Sequence, residues 1–443
     1  MDPNIQTPID RNVVEQKIRE SGLEQIGQAS IREIVKLVNE IEKATGERYI
    51  RMEMGVPGLK PPAEAIEGEI EALRAGVASQ YPMIEGVDEL KQEISRFVKN
   101  FINIQVDPKG CLPTVGSMQG AFASFLVSCR RDPQKDTTLF IDPGFPVQKQ
   151  QHKVLGLRYE TFDVYNYRGD RLREKLESYL QKGNISTLLY SNPNNPSWIC
   201  FTEKELQIIG KLADKYDVVV MEDLAYFGMD FRQNISRPGE PPYQPTVANY
   251  TDNYILLISS SKSFSLAGER IGMMVIADKL YDRRFPQLAG YYPGEGFGYS
   301  MVYGALYTLS SGTNHSAQYG LLRILKAVNE GKHNFVEDVR EYGERARMMK
   351  ELLLKHGFTM VYDRDEDQPL ADGFYFTFAF PGMDGKELLG KLIYYGISAI
   401  TLDITGSERT EGLRACVSQV SKDQMKQMDR RLEQFAKDHL NSV

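Results

Sequence analysis

From about residue 110 onward the chain alternates between two kinds of segment. Short runs rich in β-branched or large apolar residues (TTLFI, STLLY, DVVVM, YILLI) are separated by stretches of helical period such as Glu203 to Tyr216. A run that is apolar throughout, rather than at every second residue, suits a strand covered on both faces, and strands separated by helices are joined by crossovers. The expected fold class is therefore α/β, a doubly wound and mostly parallel sheet.

The pattern changes at both ends. Near the start, Ser30 and Glu33 in SIRE read as a capping box, and Ile31, Ile34, Val35, Val38 and Ile41 fall on one face of the helix it opens. This helix is expected to be an arm against a larger body. After about residue 330 come a long charged helix, the runs FYFTFAF, LIYYGISAI and LRACVSQV, and a final amphipathic helix with Met425, Met428, Leu432 and Phe435 on one face. These describe a smaller α+β unit. At 443 residues the chain exceeds one ordinary core. The division expected is 1–60 as N-terminal arm and part of the small domain, 61–330 as the large domain, and 331–443 as the C-terminal small domain. FRQNISRPGEPPYQPTVANY (231–250) and YYPGEGFGYS (291–300) are too irregular for core strands and are expected to be surface loops, lids or interface segments.

Charge excludes some partners. The net charge of −7 is spread along the chain with no block of lysine and arginine that would neutralise a phosphate backbone, so nucleic acid is not an expected partner. The charged residues among the first thirty break any signal-peptide core, and the apolar runs are far shorter than a membrane span. Cys111, Cys129, Cys200 and Cys416 are widely spaced, and the five histidines show no metal-ligand spacing, so no metal is expected and a reduced, cytoplasmic interior is.

In an open parallel sheet, ligands bind beyond the carboxyl ends of the strands. Four such ends here carry chemistry. TTLFI runs into Asp142-Pro143-Gly144-Phe145, STLLY into SNPNNP with Asn195, DVVVM into Glu222-Asp223-Leu224-Ala225-Tyr226, and YILLI into SSSKSFSLAGERIG with Lys262 and Arg270. Taken singly, each residue has an ordinary reading: a solvated loop lysine, a capping aspartate, a surface arginine, a core aromatic. Ser259-x-x-Lys262 also fits the serine-lysine motif of penicillin-binding proteins, but no KTG follows it; YILLISSS lacks the glycines of a P-loop, and the glycines at 294, 296 and 298 follow no strand.

One reading uses three of the four strand ends together. A lysine beside an arginine and small hydroxyls can hold an aldehyde cofactor covalently while the arginine and serines hold its phosphate, and pyridoxal 5′-phosphate needs both. Its pyridine nitrogen needs an anion, for which Asp223 is suited; Tyr226 and Asn195 could meet its phenolic oxygen. Gly116, Ser117, Met118 and Gln119 precede the apolar-periodic AFASFLV, a helix N-terminus suited to a phosphate dianion.

From about Gly55 to Arg414 the sequence resembles the class I/II aminotransferases, fold type I enzymes dependent on pyridoxal phosphate. Ser259-x-Ser261-Lys262 with Gly268-x-Arg270-x-Gly272 is similar to the family's cofactor-attachment signature, and NPNNP and EDLAY resemble its asparagine and aspartate-tyrosine motifs in the same order. The resemblance implies that Lys262 anchors the cofactor and shuttles the proton, Asp223 partners the ring nitrogen, and Tyr226 and Asn195 contact the phenolic oxygen. It implies further that Phe145 stacks on the ring, that Gly116 to Gln119, Ser259, Ser261 and Arg270 hold the phosphate, and that Tyr81 reaches the phosphate of a neighbouring subunit. The substrate-binding residues expected are Gly55, Asn195 and Arg414, of which Gly55 and Arg414 match positions that bind the substrate's α-carboxylate.

The expected enzyme is a homodimer with a shared active site that moves an amino group between an L-amino acid and a 2-oxo acid by a ping-pong route. The alternatives are a lyase, decarboxylase or synthase of the same fold, and a non-catalytic regulator. Three stretches depart from the family pattern: Ser260 replaces an apolar or aromatic residue, Ser197-Trp198 replaces Thr-Gly, and TLDITGSERTEG before Arg414 follows no recognisable pattern.

Overall fold

The computed structural model describes residues 6–23 and 25–440. In chain order the strands of its first two thirds are Ile50–Arg51 (β1), Cys111–Thr114 (β2), Thr137–Asp142 (β3), Arg158–Asp163 (β4), Ile185–Ser191 (β5), Val219–Leu224 (β6), Tyr254–Ser259 (β7) and Gly272–Ile276 (β8). All but β1 form one sheet in the order β2-β8-β7-β6-β5-β3-β4, parallel except where β8 meets its two neighbours. Every residue of β3, β5, β6 and β7 is buried, as apolar runs without alternation require. The helix Glu203–Tyr216 occupies the segment whose period suggested it, opened by a capping box between Thr202 and Glu205.

The order of the strands fixes where a ligand can enter. After β3 the chain moves outward to β4 and then returns to place β5 on the other side of β3. Connections leaving in opposite directions open a crevice at the carboxyl ends of β3 and β5. The register aligns the ends of the next strands with it, Ser191 opposite Asp223 and Asp223 opposite Leu257.

A second core lies against this crevice. Its strands are Thr359–Met360 (β9), Arg364–Asp365 (β10), Gln368–Pro369 (β11), Tyr375–Ala379 (β12), Ile397–Ser398 (β13), Ile400–Thr401 (β14) and Leu413–Cys416 (β15), and four of them form an antiparallel sheet in the order β14-β15-β12-β9. Its apolar cluster joins Phe378, Leu388, Leu413 and Phe435 to Ile34, Val38, Ile41 and Ile50 from the N-terminal part of the chain. The N-terminal part is stitched in by β1 pairing with β13 and by the Cys416 amide donating to the Met52 carbonyl at 2.8 Å.

The helix Ile31–Thr45 begins with the capping box expected of it: the Glu33 amide donates to Ser30 Oγ and the Ser30 amide to Glu33 Oε2. Its buried stripe is Ile34, Leu37, Val38 and Ile41, so the expected face is rotated, and Ile31 and Val35 turn instead toward the crevice. The proline-rich 231–250 segment is more than surface. Ile235, Gln244, Thr246 and Val247 are buried, and Thr246 Oγ1 and the Val247 amide both donate to the buried Glu222 carboxylate. In 291–300, Tyr291 and Tyr299 are exposed while Phe297 opens a short helical turn and is fully buried. None of the helices among the described residues is long and apolar enough to cross a membrane.

Candidate active site

The crevice holds a cavity of about 660 Å³. Lys262, Asp223, Tyr226, Asn195, Phe145, Gly116, Ser117, Met118, Ser259, Ser261, Arg270, Gly55 and Arg414 all line it. Gln119 and Tyr81 do not. Gln119 turns back on its own helix: its Oε1 accepts from the Val115 amide at 2.8 Å and its Nε2 donates to Ser310. Tyr81 is 94% exposed in the single chain.

Lys262 stands in a single helical turn, Ser260–Ser263, directly after β7. Three of the four serines around it fix the turn with their hydroxyls. Ser259 Oγ caps the turn by accepting from the Ser261 amide at 3.1 Å; Ser260 is fully buried and donates to the Ile271 carbonyl; Ser263 donates to the Phe227 carbonyl at 2.8 Å. Ser260 can therefore replace an apolar residue because its hydroxyl has a backbone partner. Lys262 Nζ lies 5.8 Å from the centre of the Tyr226 ring, and burial pushes its amine below the ordinary lysine range, with the Asp223 charge opposing the shift.

Asp223 is buried at the end of β6. Burial pushes its carboxyl up to about 6, while the Gln148 amide, donating at 2.9 Å, and the charge of Lys262 pull the other way. The Ala225 amide holds the other oxygen at 3.1 Å. Gln148 sits on the helix Pro146–Leu155 just after Phe145, and nothing in the sequence around it singles it out.

Opposite, the helix Gly116–Ser128 presents its first amides to the cavity. Gly116 has φ +66°, and a Cβ there would lie 2.9 Å from an Arg270 guanidinium nitrogen; a Cβ at Gly272 would lie 3.0 Å from the Ser117 amide. Arg270 itself adopts φ +53°, uncommon for a residue with a side chain, and donates to the Ala267 carbonyl at 2.8 Å. The missing side chains at 116 and 272 thus let a guanidinium and a helix N-terminus close around one small space, a cradle for a dianion.

The other wall comes from the second core. Arg414, on β15, is buried, donates to Asn195 Oδ1 at 3.3 Å and to the Glu53 carbonyl at 2.5 Å, and leaves its Nε without a partner among the described residues. Its guanidinium lies 4.7 Å over the ring of Tyr375, a cavity residue on β12 that sequence reasoning missed. Gly55 is glycine because a Cβ there would overlap the Tyr375 hydroxyl. Trp198 is fully buried behind this wall, edge-on to Tyr226 with ring centres 5.4 Å apart, and Gly373 makes room for it. Its φ of +65° is the conformation a glycine would adopt freely, so tryptophan stands in a glycine's backbone.

The segment TLDITGSERTEG ties the two cores together. The Gly144 amide donates to the Thr405 carbonyl at 2.9 Å, Gly406 sits against Asp142 and Lys149, and the Glu408 amide donates to Asp163 at 2.8 Å. Tyr362 donates to the same carboxylate at 2.9 Å.

The residues present fit pyridoxal 5′-phosphate: a half-buried amine, a buried carboxylate, a dianion cradle and a guanidinium with an unused nitrogen face one space. Comparison with known proteins gives the family. A probable aspartate aminotransferase of Methanocaldococcus jannaschii is 24% identical over 370 residues, 82% of this chain and 86% of that protein. An LL-diaminopimelate aminotransferase of Natranaerobius thermophilus is 24% identical over 394 residues, 87% of this chain and 91% of that one. The solved aspartate aminotransferase of Thermotoga maritima shares the fold with a TM-score of 0.74 at 19% identity, covering 95% of this chain and 99% of that structure. Residues 48–432 match the family described as aminotransferase class I and II, and the chain belongs to that family.

Proposed function

We propose that this chain binds pyridoxal 5′-phosphate and moves an amino group between an L-amino acid and a 2-oxo acid. The observation that carries the reading is that the amine of Lys262, the carboxyl of Asp223 and the two guanidiniums of Arg270 and Arg414 line one cavity with a helix N-terminus between them. When bound there, the cofactor supplies an aldehyde that exchanges amines and a ring that draws electrons from the substrate's α-carbon.

The chain's own groups divide the remaining work. The amides of Gly116, Ser117 and Met118, with Ser259, Ser261 and Arg270, hold the phosphate, and Gln119 keeps that helix end in shape. Phe145 would pack on the ring, while Tyr226 and Asn195 would meet the phenolic oxygen. Asp223 holds a proton on the ring nitrogen; the resulting positive charge supplies the counter-ion that burial denies the carboxylate. Arg414 binds the α-carboxylate common to both substrates beside Gly55. Lys262, its amine made less basic by burial, is both the covalent anchor and the base that moves the α-proton.

A second subunit completes the site in this reading. Tyr81 is exposed together with Met83, Tyr307 and Leu309, a set of large apolar side chains suited to burial against another copy, which would carry Tyr81 to the partner's phosphate.

Two measurements test the proposal. Borohydride reduction of protein loaded with pyridoxal 5′-phosphate should fix the cofactor on the peptide containing Lys262. A ¹⁵N-labelled amino acid mixed with a 2-oxo acid should yield label in the new amino acid. Release of carbon dioxide or ammonia instead would make the chain a decarboxylase or lyase, and labelling of another lysine would overturn the site.

A further inference from the structure

Two phenols meet across the cavity wall. Tyr226 follows β6 of the large sheet, Tyr375 belongs to β12 of the second core, and the Tyr226 hydroxyl donates to that of Tyr375 at 3.0 Å. Both side chains are at least 96% buried. The Tyr375 ring is wedged edge-on between Tyr226, Phe374 and Trp198, with centres 5.3, 5.1 and 6.2 Å away, and Arg414 lies over its face. Packing alone would be met by phenylalanine. A buried hydroxyl costs stability unless it is used, and this one is aimed at Tyr226 and Gly55.

We propose that Tyr375 is a positioning residue, the outer member of a two-phenol relay that orients the proton of Tyr226 toward the cofactor's phenolic oxygen. The inference rests on the reading of the site given above. A hydroxyl has one proton to donate and two places to accept. Tyr226, as the chain stands, spends its proton on Tyr375. To donate to a ligand oxygen it must turn that proton inward, and it keeps its bond to Tyr375 only if Tyr375 becomes the donor. Tyr375 is free to reverse, because its own hydroxyl proton has no other acceptor among the described residues. A phenol that accepts one hydrogen bond while donating another is a stronger donor than one that only donates. The relay therefore stabilises negative charge on the phenolic oxygen, and does so from the half of the protein that carries Arg414.

The test is the pH midpoint of the visible band of protein loaded with pyridoxal 5′-phosphate, read alongside melting temperature. Tyr375→Phe should raise the midpoint by about half a unit to one unit, the worth of one hydrogen bond, because the anionic oxygen loses support. Tyr226→Phe should raise it further, and Tyr375→Phe should add nothing in the Tyr226→Phe background. Gly55→Ala, which pushes on the Tyr375 hydroxyl without removing it, should shift the midpoint in the same direction and decides the matter if Tyr375→Phe does not fold. An unmoved midpoint in the variants, or a Tyr375→Phe shift that persists without the Tyr226 hydroxyl, overturns the relay while leaving the cofactor reading intact. A wild-type protein that takes up no pyridoxal 5′-phosphate removes both.

Discussion

The two walls of the cavity are built by different kinds of contact. On the large-sheet side, Phe145, Asn195, Asp223, Tyr226 and Lys262 each stand within four residues of a strand's carboxyl end, and the strands are neighbours in register. On the other side, Gly55, Tyr375 and Arg414 meet only because β1 pairs with β13, β12 with β15, and Cys416 with Met52, contacts that span tens to hundreds of residues. The first wall is local geometry repeated four times. The second is an assembly of distant segments, held to the first by a polar seam through Asp142, Asp163 and the 403–408 turn. The large-sheet wall should therefore carry the chemistry, and the second wall the recognition of substrate.

The largest effect expected from this division is at Lys262. Lys262→Ala should lower kcat by about four decades, since it removes both the proposed anchor and the proposed base. If the shared-site dimer proposed above forms, mixing Lys262→Ala with Tyr81→Asp under subunit exchange should restore about a quarter of wild-type activity, because random exchange then makes half the dimers hybrids with one intact site. No recovery, with hybrids verified by native mass spectrometry, would place Tyr81 within its own chain's function.

Asp223 is next. Asp223→Asn should keep much of the bound cofactor but lose about two to three decades of rate, each decade about 1.4 kcal/mol of barrier. It should also change stability in a way that only a buried carboxylate can. With its carboxyl raised to about 6 in the folded cofactor-free protein and near 4 when unfolded, Asp223 binds its proton more tightly in the native state. Its contribution therefore falls as pH rises from about 4 to 6, and above 6 the buried charge costs up to about 3 kcal/mol. Cofactor-free Asp223→Asn should be more stable than wild type at pH 7 and no more stable below pH 4, as denaturant titration at the two pH values would reveal. Equal stability at both would mean that the carboxylate is better solvated than its burial implies.

How far the site was legible follows the same division. The strand ends announced themselves because a short apolar run followed by a polar or glycine-rich turn is a local signal, and the motifs at Asn195, Asp223 and Lys262 needed no knowledge of the fold. The places of Gln148 and Tyr375 at the site are invisible in the sequence for opposite reasons. Gln148 lies on an ordinary amphipathic helix and matters only because the end of β6 is beside it. Tyr375 lies in an aromatic run, FYFTF, where alternation says which residues share a face but not which of them meets Tyr226. The capping box announces the helix Ile31–Thr45, yet its apolar residues outnumber the positions that one core can cover: Ile31 and Val35 go to the cavity, and Leu37 joins Ile34, Val38 and Ile41 in the core.

Arg414 tests the second wall directly. Arg414→Ala should raise KM about ten- to a hundredfold for the amino acid and the oxo acid alike, the range for charge-assisted bonds to a carboxylate. The visible band of the loaded protein should stay near its wild-type intensity. If only one substrate suffers, the arginine reads a side chain rather than the shared carboxylate.

The smallest expected effect asks whether the recognition wall can be loosened without touching the chemistry. Ser30 Oγ accepts from the Glu33 amide at the start of the helix that buries Ile34, Leu37, Val38 and Ile41 in the second core and turns Ile31 and Val35 to the cavity. Ser30→Ala removes that cap and should cost about 1 kcal/mol of stability, whereas Ser30→Asp keeps an acceptor there and should cost little. The helix end that frays is the one bearing Ile31 and Val35, so the cavity should become less well ordered where a substrate side chain would lie. KM should rise by less than about fivefold, with kcat and cofactor affinity unchanged, because no cofactor-facing group on the large sheet depends on that turn. A fall in cofactor affinity in Ser30→Ala, absent in Ser30→Asp, would break the division, since it would mean that the N-terminal helix helps to hold the cofactor.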